Sequence, residues 1–112
     1  MLNDSPQLNG AFAALADPVR RGMLAQLSKG PASVSALAKP LPISLPAVLQ
    51  HLKALEQSGL VRSQKAGRVR TVQLDPGKLA EAEGWIADRR AEWEARIDRF
   101  EGYLSTLQAK GD

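Results

Sequence analysis

His51 is the one histidine of the chain, set in LPAVLQHLKAL directly after Gln50 and two residues before Lys53, and the 112 residues contain no cysteine. A metal ion held by this chain would need carboxylates in nearly its whole ligand shell. Thiolate sites, disulfides and a cysteine nucleophile are ruled out. Histidine-based catalysis would need a carboxylate or nucleophile nearby, yet eight of the twelve Asp and Glu fall in residues 76–112. No catalytic constellation forms, and the reading is of a non-enzyme without metal or cofactor. The side chains around His51 suit hydrogen bonding and charge pairing. Gln50 presents a donor and an acceptor that match a base edge, and Ser44, His51 and Lys53 carry groups that suit phosphate.

The charge is distributed to the same end. Residues 1–75 hold nine Lys/Arg against four Asp/Glu, while residues 76–112 hold six against eight, within a net charge of +3. A basic front is the footprint of a polyanion binder. No apolar run reaches the roughly 20 residues of a membrane span, and MLNDSPQL has neither the basic start nor the apolar core of a signal segment. The expectation is a cytoplasmic protein with no membrane partner.

The elements that must position these residues follow from caps and periodicity. In PQLNGAFAALADP, Leu8, Phe12 and Leu15 recur at i, i+4 and i+7, which predicts a first helix burying that stripe. Asp17-Pro18 then supplies an N-cap and a first-turn proline for a second helix whose apolar face is Val19, Met23, Leu24 and Leu27, ending at Gly30-Pro31. Ser33 caps a short helix over VSALAK, and Ser44 caps a longer one in which Val48, Leu52 and Leu55 face inward and Gly59 gives the stop. Two helices across a tight turn have the outline of a helix-turn-helix, with the second as the reader.

Behind it, LVRSQKAGRVRTVQL alternates, with Ala66-Gly67 as the expected turn of a hairpin lined by Arg62, Lys65, Arg68 and Arg70. A basic hairpin after a helix-turn-helix is the plan of a winged helix. From Pro76 onward Leu79, Ile86, Trp93, Phe100 and Leu107 recur every seven residues, with Ile97 and Leu104 beside them. This seam predicts a helix over about 77–108, about 46 Å long at 1.5 Å per residue. Such a helix overhangs a small domain, and its exposed seam predicts a homodimer. The fold class expected is mainly α with a small β-hairpin. It forms one domain over 1–112, with a winged-helix core at 8–75 and a dimerisation helix at 76–109. The interface is expected at Leu8, Phe12, Ile86, Trp93, Ile97, Phe100 and Leu104. The ends MLND and AKGD are expected to fray.

ALADPVRRGMLAQL followed by SVSALAKPLPISLPAVLQHLKALEQSGLVRSQKAGRVRTVQL resembles the winged-helix core of ArsR-type bacterial transcription regulators, over roughly residues 10–75. The resemblance rests on Leu15-Ala16-Asp17-Pro18 with Arg20-Arg21, on His51-Leu52 with Leu55, and on Gly59-Leu60-Val61 ahead of Gly67-Arg68. The tail is similar to a cysteine-free branch in which the last helix dimerises. The resemblance implies a repressor that reads an inverted-repeat operator in double-stranded DNA. Metal-sensing relatives carry a cysteine pair in the helix that here spans Val34 to Lys39, or acidic and histidine ligands on the last helix, so metal sensing does not carry over. Leu49 stands where relatives commonly have a small hydroxyl residue facing DNA.

On this reading Leu45, Ala47, Leu49 and Gln50 face bases, and Ser44, His51, Lys53, Lys65, Arg68 and Arg70 face phosphate. Two alternatives stay open for single residues. His51 can instead be bonded within its own domain, and Arg20 and Arg21 can serve solubility or a salt bridge rather than phosphate. For the whole chain, a winged-helix module that binds protein is the alternative, supported by Leu45 and Leu49. A crevice beside Trp85 and Trp93 is the place for a small apolar effector of unknown identity.

Overall fold

The first four helices each start on a capping side chain. Ser5, Asp17, Ser33 and Ser44 accept the backbone N–H of Leu8, Arg20, Ala36 and Ala47, one of the donors that a helix start leaves unsatisfied. In the computed structural model, which describes residues 5–111, the elements are α1 (Pro6–Leu15), α2 (Pro18–Leu27), β1 (Ala32–Ser33), α3 (Val34–Ala38), α4 (Leu45–Gln57), β2 (Val61–Ala66), β3 (Val69–Leu74) and α5 (Pro76–Gly111). The expected fraying of MLND lies outside the described residues.

The end of α4 is closed by a full Schellman arrangement. Gly59, at φ +80°, donates to the Glu56 carbonyl, and Leu60 N–H reaches back to Leu55 O at 3.2 Å. Leu55 and Leu60, the hydrophobic pair that accompanies this motif, are both fully buried. They join Met23, Leu27, Leu37, Val48, Leu52, Val61 and Val72 in one core. The expected stripe of α1 needs correction. Ala11 and Ala14 are its buried residues, while Leu8, Phe12 and Leu15 are half-buried and pack on the core margin. Small residues let α1 come close, and a Cβ on Gly10 would stand 3.7 Å from the Ser58 backbone.

The sheet has three antiparallel strands in the order β1-β3-β2. Its two-residue strand β1, which pairs Ala32 with Val72 and Ser33 with Thr71, was not expected from the sequence. The hairpin turn is Gly67-Arg68 rather than Ala66-Gly67, because Ala66 still pairs with Val69. Gly67 has φ +63° and Arg68 a negative φ, which meets the type II′ requirement for positive φ at the first turn residue only.

The chain divides into two compact units, Met1–Ala82 and Glu83–Asp112. The boundary between these units lies inside α5. The first turns of α5 belong to the first unit, where Ala82 is buried and Leu79 packs on the core. In the second unit every described residue from Asp88 to Ala109 is exposed. It carries a stripe of Ile86, Trp93, Ile97, Phe100, Leu104 and Leu107, flanked by the i,i+3 pair Arg89–Glu92 and the i,i+4 pair Arg90–Glu94. Arg89 also stacks over the Trp85 ring at 4.8 Å.

Candidate nucleic-acid interface

Val48, Leu52 and Leu55 are fully buried, which turns the other side of α4 outward. Leu45 and Leu49 are 55% and 41% exposed, Gln50 and Lys53 are exposed, and Ala47 is half-buried. Ser44 is exposed, and its oxygen accepts Ala47 N–H at 3.3 Å, so the hydroxyl proton remains for another acceptor. α3, held by fully buried Leu37, precedes α4 across the Pro40–Pro42 turn.

The wing's core-facing side changes character along its length. Val61 and Val72 are buried at its base, Ser63 and Arg70 are half-buried further out, and Lys65 and Arg68 are exposed toward the tip. Between this side and the helices lies an open groove of about 670 Å³, lined by Leu49 of α4, by Ser33, Val34 and Ser35 where α3 begins, and by Ser63, Lys65, Arg68, Val69 and Arg70 of the wing. The sequence reading assigned Ser33 as a cap and gave Val34, Ser35 and Ser63 no part in a site. The signal available for them was the hydroxyl-rich SVS at the start of α3.

The wing cations are not equivalent. Arg70 forms an ion pair with Glu56 of α4, and its Nε donates to Ser63 Oγ at 3.1 Å, while Ser63 Oγ donates to Glu56 Oε1 at 2.6 Å. Arg62 faces Asp75 at 3.7 Å. Lys53, Lys65 and Arg68 make no ion pair among the described residues. Arg70, expected among the phosphate-binding residues, thus lines the groove with its charge already paired to Glu56.

His51 also points inward. It is half-buried, with Nδ1 3.3 Å from Arg20 Nη1 and 3.8 Å from Asp17 Oδ2. A guanidinium only donates, so Nδ1 accepts this bond and the ring N–H lies on Nε2. Arg20 also donates from Nε to Ala14 O at 3.0 Å and from Nη2 to Ala13 O at 3.1 Å, while Arg21 donates to Leu15 O at 2.7 Å. The two arginines thus close the open carbonyls at the C-terminus of α1, where the helix dipole also favours cations. Asp17 lies below the usual carboxylate range, chiefly because it accepts the Arg20 backbone N–H; burial opposes this, and the His51 ring when protonated and the Arg20 charge add to it.

An exposed helix start on a buried hydrophobic anchor, a neighbouring strand-turn-strand with unpaired cations and a groove between them define a winged helix-turn-helix. A Helix-turn-helix domain model matches residues 15–64, which span α2 to the middle of the wing. The chain is 40% identical over 107 residues, 91% of its length and 90% of the relative's, to the HTH-type transcriptional regulator Rv2034 of Mycobacterium tuberculosis. The crystal structure of an ArsR family transcriptional regulator superposes with a TM-score of 0.76 at 49% identity, covering 79% of this chain and 97% of that one. An ArsR-like transcriptional regulator from Rhodococcus sp. RHA1 gives 0.73 at 35% identity, covering 84% and 89%. The chain belongs to the ArsR family of winged helix-turn-helix transcriptional regulators.

Proposed function

We propose that this regulator is a homodimeric repressor that binds an inverted-repeat operator in double-stranded DNA through α4 and the wing. One observation carries the reading: Leu49, on the exposed face of α4, lines a single groove with the unpaired wing cations Lys65 and Arg68. Leu45, Ala47, Leu49 and Gln50 meet base edges, with the amide of Gln50 suited to adenine and the apolar side chains to thymine methyls. Ser44, Lys53, Lys65 and Arg68 take phosphates. His51, held by Arg20, supports α4 from behind, and its Nε2–H is the group left for a phosphate.

The dimer is supported by the exposed stripe on α5, a continuous apolar row that a second copy would cover. Leu8 and Phe12, already packed on the core, take a lesser part than Ile86, Trp93, Ile97, Phe100 and Leu104. Two readers on a two-fold axis contact half-sites about one turn of DNA apart. A small apolar effector near Trp85 and Trp93 would release the operator by shifting the dimer away from that spacing. The reading is non-enzymatic, with the protein acting in the cytoplasm on the chromosome. A second reading, a module that binds protein, draws on the exposure of Leu45 and Leu49.

Fluorescence anisotropy with DNA from the chain's own upstream region, against shuffled DNA over a range of salt, tests the proposal. Preference for the upstream DNA and a steep fall with salt are expected, and Gln50→Ala should erase much of the preference with little change on shuffled DNA. Weak, salt-insensitive binding to both would overturn it in favour of the protein-binding module.

A further inference from the structure

Between Asp17 and Asp75 the chain has one acidic residue, Glu56. The whole helix-turn-helix and wing is otherwise cleared of negative charge, as a surface that meets phosphate requires. Glu56 sits in the last turn of α4 and is half-buried, and it contacts both strands of the wing: Ser63 of β2, which donates to it at 2.6 Å, and Arg70 of β3, which pairs with it. The Arg70 Nε bond to Ser63 at 3.1 Å closes the ring. Each of these three bonds joins a donor to an acceptor. Yet Arg70 also lines the groove with Lys65 and Arg68.

We propose that Glu56 is a specificity-determining positioning residue, which holds Arg70 off the DNA and uses it with Ser63 to lock the wing at one angle to the recognition helix. This rests on the DNA-binding reading above. The arrangement gives up one phosphate contact, the kind that strengthens binding to any sequence. In return it fixes Lys65 and Arg68 relative to Gln50, so that phosphate and base contacts are satisfied together only in the correct register. The lock acts at mid-wing. Its buried base, Val61 and Val72, is held by the core, and its tip has only Gly67 and exposed residues.

The test is the salt slope of binding to upstream and shuffled DNA for four variants of the full chain. Arg68→Ala should reduce the slope by about one per protomer on both DNAs, and if it does not, the DNA-binding reading itself fails. Arg70→Ala should leave the slope on shuffled DNA at its wild-type value while affinity for upstream DNA falls, because a charge already paired is lost along with the lock. Glu56→Gln should steepen the slope by about one per protomer, about two for the dimer, so that a fourfold dilution of salt tightens binding to shuffled DNA about 12-fold more than in wild type, and the preference for upstream DNA should narrow. Glu56→Gln with Arg70→Ala should return the slope to wild type, which a general loss of folding would not do. With Arg68→Ala behaving as stated, an Arg70→Ala slope that falls by about one, or a Glu56→Gln slope that does not change, would overturn the inference.

Discussion

Asp17 accepts the Arg20 backbone N–H at 3.0 Å as the cap of α2 and lies beside the His51 and Arg20 side chains. Because its carboxyl is held below the ordinary range in the folded protein, its contribution to stability is complete above that range and is lost as pH falls through the lowered value. Asp17→Ala should therefore lower the melting temperature at neutral pH, and the gap from wild type should close as pH drops below the ordinary carboxylate range. Thermal unfolding of both proteins across acid pH checks this. The cap itself was readable, because Asp17-Pro18 is a local signal. The intradomain bonding of His51 was one of two open readings, but the partners of His51, Arg20 and Arg70 were not readable, since each lies elsewhere in the chain: Arg20 for His51, the carbonyls of α1 for Arg20, and Glu56 for Arg70. Sequence spacing reports neighbours on one helix or strand, and these pairs exist only once elements dock.

α4 separates stability from recognition within one helical turn. Leu52 is fully buried while Leu49, three residues earlier, is 41% exposed. Leu52→Ala should cost about 2–5 kcal/mol by denaturant unfolding, whereas Leu49→Ala should stay within about 0.5 kcal/mol and change DNA binding instead. A large stability loss for Leu49→Ala would show that this side chain belongs to the core. The periodicity of Val48, Leu52 and Leu55 made this partition legible, as did Ser44 and Gly59 at the ends of the helix. Strand β1 was not legible, because two residues carry no alternation and Ala32 and Ser33 are a strand only by virtue of β3. The one-residue error in the wing turn has a similar origin: both placements put Gly67 in the turn, and the choice is made by the register of Ala66 against Val69.

On the scale of the whole molecule, the heptad spacing in α5 was plain in the sequence, but the end of the first compact unit at Ala82 was not. Ala82 is too small to register in a pattern of large apolar residues, and its burial depends on the core it meets. Trp93 lies in the middle of the stripe and is 62% exposed. On the homodimer proposal, Trp93→Asp places two charges at the centre of the interface, so the variant should sediment as a monomer at micromolar concentration. Its affinity for a two-half-site operator should fall by at least about 100-fold, because the second half-site loses its tethered reader. A sedimentation coefficient unchanged from wild type would count against the seam. The sheet order carries a consequence of another kind. β3 is the central strand, and its residues Thr71 and Val72 pair with Ser33 and Ala32 across a segment that contains α3, α4 and β2. Closing so long a loop is entropically costly and slow compared with forming the helices within it. During synthesis, then, the helical half of the reader can form as soon as it emerges, but the stitch that fastens the start of α3 must wait until Val72 has left the ribosome.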